Sequence, residues 1–455
     1  MLRLSFDSGT LIFTGEEDDM VDIRDFIKYD ERIKMYRAPA YCYAPILRIL
    51  HGKTEYIDDA RSYIKLNLEL ETEKKPRQHQ AEAFNAWRQV QYRGVVVLPT
   101  GSGKSFLAHM AISHIKRNTL IVVPTIDLLN QWATQLEETF NCKIGMLGGG
   151  VKEIREITVS TYDSALLMME FIGNQFGFII YDECHHLPGE RNRLSATMSI
   201  APYRLGLTAT PERNDDGEKT LYQLLGPLCY RQDIDEMKGD VLAPYRVERV
   251  ELELDEDEAL AYEENRDIYK QFLRDNSINF GNGDGWGRFM YMVAVQPNGK
   301  AAFKAYMEQR RIARSGRAKL RKIWELLQEH GGARTIIFTA DNDTAYEIGR
   351  TFFLPVLTHH TKLVERKEML ASFRNGEYPV LVTSKVLNEG VDVPEASIGI
   401  VVSGSGSIRE HVQRLGRILR QAAGKQAILY ELVSQGTSEF YVSERRREHR
   451  AYKNN

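Results

Sequence analysis

The chain has 455 residues, about the length of three ordinary domains, with 43% apolar and 27% charged residues and a formal charge of −3. No run approaches the roughly 18 consecutive apolar residues of a membrane span, and an amino terminus with Arg3 and Asp7 among alternating apolar residues is no signal peptide. Cys42, Cys142, Cys184 and Cys229 are far apart and form no Cys-x-x-Cys pair, which argues against a zinc site or disulfide framework and fits a reducing cytoplasm.

Leu2, Leu4 and Phe6 alternate with polar residues, Asp7-Ser8-Gly9 follows, and Leu11-Ile12-Phe13 resumes the apolar pattern. This is a β-hairpin signal. It opens a small α+β domain over 1–72. Residues 1–70 hold 13 acidic and 10 basic side chains, so the formal deficit lies there. Tyrosines at 29, 36, 41, 43, 56 and 63 suit base stacking or an aromatic core. A net negative segment lacks the electrostatic footprint of a nucleic-acid binder, which favours packing. Lys74-Lys75-Pro76 is the linker out of it.

Arg77-Gln78-His79-Gln80 then opens a helical stretch through Trp87. A glutamine amide can pair with the donor and acceptor edge of adenine, so Gln80, with Arg77 beside it, is a candidate for nucleotide choice. Gly94-Val95-Val96-Val97 is a β-branched run, Leu98 to Ser105 reads Leu-Pro-Thr-Gly-Ser-Gly-Lys-Ser, and an apolar-periodic stretch runs from Phe106 to Ile115. The order is buried strand, glycine loop, helix. In such a loop successive N–H groups converge on a polyphosphate, and the helix turns its positive end toward the same charge. Thr100, Gly101, Ser102 and Gly103 would form the cradle, Lys104 would meet the β- and γ-phosphates, and the Ser105 hydroxyl would ligate Mg²⁺. The leading glycine of the strict pattern is absent, and Pro99 stands in the loop instead.

From Thr119 to Leu207 short apolar strands alternate with helical segments, which predicts a parallel sheet covered on both faces. Leu120–Val123, 157–159, 178–181 and 203–207 read as strands; 128–140 and 164–171 read as helices. Ligands bind such sheets beyond the carboxyl ends of the strands. At one such end Asp182-Glu183-Cys184-His185 follows Phe178-Ile179-Ile180-Tyr181. Asp182 is placed to hold Mg²⁺ and Glu183 to orient the attacking water. Leu207-Thr208-Ala209-Thr210-Pro211 ends the next strand, where the Thr208 and Thr210 hydroxyls can couple the γ-phosphate position to a neighbouring surface.

Taken together, residues 98–105, Val123 to Trp132, Val159 to Ala165, Asp182 to His185 and Leu207 to Pro211 resemble motifs I, Ia, Ib, II and III of superfamily 2 helicases. Thr335 to Thr339 resembles motif IV, Val382 to Ala396 motif V, and Gln413 to Arg420 motif VI. Gly404 to Glu410, Met198 to Thr210 and His185-His186-Leu187-Pro188 resemble, more narrowly, XPB-type helicases of the short archaeal form. The resemblance implies two RecA-like doubly wound domains, a small amino-terminal domain and a helical thumb, divided as 1–72, 73–240, 241–322 and 323–455. It also implies ATP and Mg²⁺ as cofactors, DNA as partner, 3′ to 5′ unwinding in repair or transcription, and, in archaeal members, an associated nuclease. Thr125 and Thr161 would then lie on the DNA side, Gly390 and Asp392 of motif V on the nucleotide. Gln413, Arg417 and Arg420 of motif VI would act on the triphosphate. Arg417 and Arg420 are one helical turn apart, so both can reach one phosphate.

The family's Arg-Glu-Asp element maps to Arg213-Asn214-Asp215, where the middle carboxylate is replaced by an amide. In the thumb segment, Lys300 to Lys322 holds nine cations against one acid, Glu308. A run without alternating acidic partners predicts a phosphate-tracking surface that includes Arg310, Arg311, Arg314 and Arg317. Three readings remain open from the sequence: a processive helicase, a duplex-opening ATPase switch, and a nucleotide-gated binding module without turnover.

Overall fold

The computed structural model describes residues 1–72, 75–211, 217–232, 245–280, 284–384, 396–403 and 427–440. The chain divides into two units, with Met1–Met237 in the first and Lys238–Asn388 and Val393–Asn455 in the second.

The predicted hairpin is present as Leu2–Asp7 and Thr10–Thr14. Its turn places Ser8 and Gly9 at positive φ, the geometry that matches strand twist in a two-residue hairpin loop. The five-stranded sheet runs Lys28–Asp30, Met35–Pro39, Thr10–Thr14, Leu2–Asp7, Tyr56–Asp58. Its core takes Tyr43 fully, with Tyr36, Tyr41, Tyr56 and Tyr63 packed against it. The Tyr43 hydroxyl donates to Asp58 at 2.6 Å. Packing accounts for these rings, and Tyr29, 53% exposed, is the exception.

The segment after Asp58 does not swing free. Asn174 donates to the Ala60 carbonyl, and the amides of Ser62, Ile64, Leu66 and Glu71 bond to Asn174, Asn118, Lys116 and Thr139 in turn. Ile200 of the following domain lies inside the core of the small one. Where the two meet, a Cβ on Gly9 would stand 2.7 Å from Met198 and one on Gly177 2.8 Å from Tyr63.

The alternation predicted from Thr119 to Leu207, with the strand before the glycine loop, belongs to an eight-stranded sheet. Its order is Leu228–Arg231, Arg93–Val97, Tyr203–Thr208, Phe178–Asp182, Thr119–Val123, Ile157–Thr161, Gly145–Gly148, Val151–Glu153. All pairings are parallel except the terminal hairpin. The helices Gln78–Gln89, Lys104–Ile115, Ile126–Phe140 and Tyr162–Ile172 connect or flank it. Buried on both faces, the central strands are mainly apolar, with Arg204, Thr158 and Ser160 as fully buried polar exceptions.

The second unit is built on a six-stranded parallel sheet: Tyr245–Leu252, Ala427–Ser434, Ile398–Val401, Thr335–Phe338, Val380–Thr383, Val356–Leu357. This corrects the division at 322. The strand Tyr245–Leu252 is an edge of this sheet, and Ile323 and Leu326 of the helix Arg317–Glu329 lie in its core. The inserted helical part is therefore Glu256–Asp275, Gly285–Val295 and Gly299–Ser315, closed around Phe272, Phe289 and Ala302.

Candidate nucleotide site

Strand order assembles the site. The strands ending at Val97, Thr208 and Asp182 are neighbours in that order, in register Val97 with Thr208 and Leu207 with Asp182. The strands ending at Val123 and Thr161 come next. Five motifs scattered between Leu98 and Pro211 thus emerge on one edge of the sheet.

In the loop, Gly101 and Gly103 stand at φ +86° and +90°, which L side chains rarely adopt. Ser102 donates through its amide and its hydroxyl to the Pro99 carbonyl. Lys104 Nζ donates to the Leu98 carbonyl at 3.1 Å and to that of Pro99 at 3.5 Å. Lys104 and Ser105 open the helix Lys104–Ile115, and the first amides of a helix have no partner within it. The Thr100 hydroxyl is buried without a hydrogen-bond partner among the described residues. Amides at a helix start, a lysine and an orphaned hydroxyl are the donor set a polyphosphate uses.

Gln80, expected at the adenine edge, is bonded to the loop in this structure. Its Oε1 accepts from the Arg77 amide at 2.9 Å, and its Nε2 donates to the carbonyls of Ser102 and Gly103. His79 Nε2 also meets the Ser102 carbonyl, at 2.9 Å, and burial lowers its pKa. Two side chains from the preceding helix therefore brace the cradle. Sequence pattern shows that they stand upstream of it, but not that they touch it.

Asp182 is buried, and burial pushes its carboxyl up while the Lys104 ammonium opposes the shift. Oδ2 accepts from the Trp132 indole at 2.9 Å and Oδ1 from the Glu183 amide at 3.0 Å. Glu183 is held at φ +46°, a conformation uncommon outside glycine. His185, fully buried, bonds through Nδ1 to the Thr208 hydroxyl at 3.0 Å and lies 3.5 Å from the Glu183 carboxylate. Thr208 is in turn bonded to the amide and carbonyl of Thr210. The Asp-Glu-Cys-His and Thr-Ala-Thr segments are thus one hydrogen-bonded unit.

Asp182 and the Ser105 hydroxyl are hard oxygen donors and fit Mg²⁺, which takes few protein ligands and keeps substrate phosphates and water around it. No cluster of three or more His, Cys, Asp or Glu that could hold a metal occurs among the described residues.

Thr125 and Thr161 each cap a helix, accepting from the amides of Leu128 and Ser164. They hold two helix starts at the far end of the same edge.

The premise that the basic run lacks acidic partners is corrected. Arg311 pairs with Glu308, Arg314 with Asp341 at 2.6 Å, and Arg317 with Asp255, Asp257 and Glu258. Arg321 also takes Asp255, and Lys322 takes Glu325. Lys319 is buried, donating to the Val402 carbonyl and pairing with Glu439. Arg310 lies over the Tyr306 ring at 5.0 Å. Asp255, Asp257, Glu258, Asp341 and Glu439 come from other parts of the chain, so the run itself cannot show them. Lys300 and Lys304 are exposed.

Residues 73–213 match the model of the type III restriction enzyme res subunit, 309–451 that of the ERCC3/RAD25/XPB C-terminal helicase, and 4–60 that of the xeroderma pigmentosum group B helicase damage recognition domain. The DNA 3′-5′ translocase XPB2 of Sulfurisphaera tokodaii is 41% identical over 429 residues, covering 93% of this chain and 96% of that one. The chain belongs to the XPB family. A DNA 3′-5′ helicase XPB of Mycobacterium tuberculosis is 32% identical over 369 residues, 78% of this chain and 60% of that one. The helicase domain of Pyrococcus furiosus Hef shares the fold, with a TM-score of 0.55, 19% identity, and coverage of 81% of this chain and 98% of that one. The matched stretches, 4–60, 73–213 and 309–451, fall in the small amino-terminal domain and in the two halves that carry the helicase motifs. Of the residues the XPB resemblance carries over, Arg213, Asn214, Asp215, Gly390, Asp392, Gln413, Arg417 and Arg420 lie outside the described residues.

Proposed function

We propose that this XPB-family chain is an ATP-driven DNA translocase, working 3′ to 5′, that opens duplex DNA in repair or transcription. The observation that carries the reading is the convergence of the glycine loop with Lys104, Asp182, Glu183 and Thr208 on three adjacent strand ends, with Thr125 and Thr161 further along the same edge.

Lys104 and the loop amides neutralise the phosphates, Glu183 orients the attacking water, and Asp182 with Ser105 would hold Mg²⁺, which would supply further charge neutralisation. The bond from His185 to Thr208 ties the water-orienting residue to the Thr208–Thr210 segment. A change at the γ-phosphate position is thereby passed from the strand that ends in Asp182 to the one that ends in Thr208. Arg417 and Arg420 supply the transition-state guanidiniums, a contribution worth on the order of 10³ to 10⁵ in rate.

Neutralising both arginines should remove DNA-stimulated phosphate release, and undiminished turnover would overturn the proposal. DNA should stimulate hydrolysis more than RNA of equal length.

A second reading keeps the ATPase and drops processive unwinding, in favour of a switch that opens a short bubble or loads a nuclease partner. The amide at Asn214, in place of the acidic middle residue of Arg-Glu-Asp, favours it. So does the word translocase, rather than helicase, in the name of the Sulfurisphaera relative. Strand displacement on forks of increasing duplex length separates the two.

A further inference from the structure

Trp132 lies two helical turns beyond Thr125 on the helix Ile126–Phe140, so the two residues share a face. Its ring is buried, 2% exposed, among three elements. It meets His109 of the glycine-loop helix edge to face at 5.9 Å. It belongs to the helix capped by Thr125. And its indole N–H reaches Asp182 Oδ2, at the end of the strand Phe178–Asp182. A buried tryptophan needs some acceptor for its N–H, and a backbone carbonyl commonly serves, as the Arg204 carbonyl does for Trp87 in this same domain. Trp132 has instead the carboxylate expected to face Mg²⁺.

With Oδ1 taken by the Glu183 amide, the indole bond fixes the rotation of the whole carboxylate. A charge-assisted bond in a buried setting is strong and costly to leave unmade. Any movement of the helix that starts at Thr125 must therefore drag or break it.

We propose that Trp132 is a positioning residue: it sets the Asp182 carboxylate for Mg²⁺ and passes displacement of the helix Ile126–Phe140, when nucleic acid is engaged at its start, to that carboxylate. The proposal rests on the ATP-driven translocase reading. It makes the stimulation of hydrolysis by DNA depend on one hydrogen bond.

The test uses the full chain and two substitutions. Trp132→Phe removes the N–H and keeps most of the packing. Phe140→Leu disturbs the same aromatic cluster, where Phe140 meets His109 at 6.0 Å, without touching Asp182. Outer-sphere partners of a metal ligand are worth about 10–100-fold in metal affinity or activity. Trp132→Phe should therefore raise the Mg²⁺ concentration for half-maximal hydrolysis roughly 10-fold and lower stimulation by DNA, with nucleotide affinity in EDTA unchanged. Phe140→Leu should lower the melting temperature and leave the Mg²⁺ dependence as in the wild type.

Independently of turnover, the protein labelled with 5-fluorotryptophan should show the Trp132 ¹⁹F resonance shifting on addition of Mg²⁺-ADP and again on addition of single-stranded DNA. That resonance is assigned from Trp132→Phe or, if that variant does not fold, by elimination with Trp87→Phe, Trp286→Phe and Trp324→Phe. Wild-type Mg²⁺ dependence in Trp132→Phe, an equal change in Phe140→Leu, or a resonance indifferent to DNA would each overturn the proposal. Absence of DNA-stimulated hydrolysis in the wild type counts against the translocase reading instead. The Mg²⁺ dependence of ADP binding in Trp132→Phe then decides the role of Trp132 by itself.

Discussion

Two sets of charged side chains in this molecule look equally functional in the sequence and are built on opposite plans. Around the glycine loop, Lys104 is held by carbonyls of the loop itself, His185 by the neighbouring strand end, and Asp182 by the amide that follows it and by Trp132 of the helix Ile126–Phe140, all within one domain. Their geometry comes with their place on the sheet. In the second unit, Arg314, Arg317 and Arg321 are held by Asp341, Asp255, Asp257 and Glu258, contributed by other elements. A motif fixed to a strand end carries its surroundings with it, whereas a run of like charges carries only its charge.

The largest effect should come from the first set. Lys104→Ala is expected to lower DNA-stimulated phosphate release by on the order of 10³-fold, since a preorganised charge on the transferred group is lost. Next is Gly103→Ala. At φ +90° the new Cβ would stand 2.3 Å from Gln80 Nε2, and strain of this kind costs about 1–3 kcal/mol, enough to weaken binding of a fluorescent nucleotide by about 5- to 150-fold. Gln80→Ala in the same chain should recover part of the loss, because it removes the collision and leaves the backbone strain.

The second set is sharpened by salt. Replacing the exposed Lys300 and Lys304 with alanine should flatten the slope of log affinity for DNA against log salt by about 1.4 to 1.8, at roughly 0.7 to 0.9 for each phosphate no longer neutralised. Arg317→Ala should leave that slope unchanged and lower the melting temperature of the second unit. The reverse pattern would restore the arginines as phosphate ligands and erase the contrast between the two sets.

The smallest effect is in pH. The Arg321 side chain, by hydrogen bond and charge, holds the Asp255 carboxyl below its ordinary value. A depressed carboxylate stabilises the fold above the unfolded-state pKa of about 3.9 and loses that contribution as pH falls through the lower folded value. The difference in melting temperature between wild type and Asp255→Asn should accordingly be small near neutrality and vanish on acidification below the usual carboxylate range.

Much of the first domain was legible because apolar strands alternating with helices leave few options, and because glycine, lysine and acidic residues fell directly after apolar runs. The hairpin around Ser8-Gly9 was legible for the same local reason. What the sequence hid was every contact between distant segments. Gln80 reads as a base-pairing amide until the loop carbonyls of Ser102 and Gly103 are seen beside it. Trp132 reads as core until its N–H is traced to Asp182. The strand Tyr245–Leu252 lies in a segment that reads as linker and thumb, because a parallel edge strand declares itself only through its partner, here Ala427–Ser434.

The segment that follows the small amino-terminal sheet has a practical corollary. Since Ser62, Ile64, Leu66 and Glu71 are laced to the root of the neighbouring strands, and Ile200 is lodged among the small domain's own apolar residues, removing residues 1–72 would strip a wall from the catalytic half and bare Ile200, Met198 and Phe178's end of the sheet to solvent. The first seventy residues are in this sense a foundation, seated against the segments that lead into the strands Phe178–Asp182 and Tyr203–Thr208.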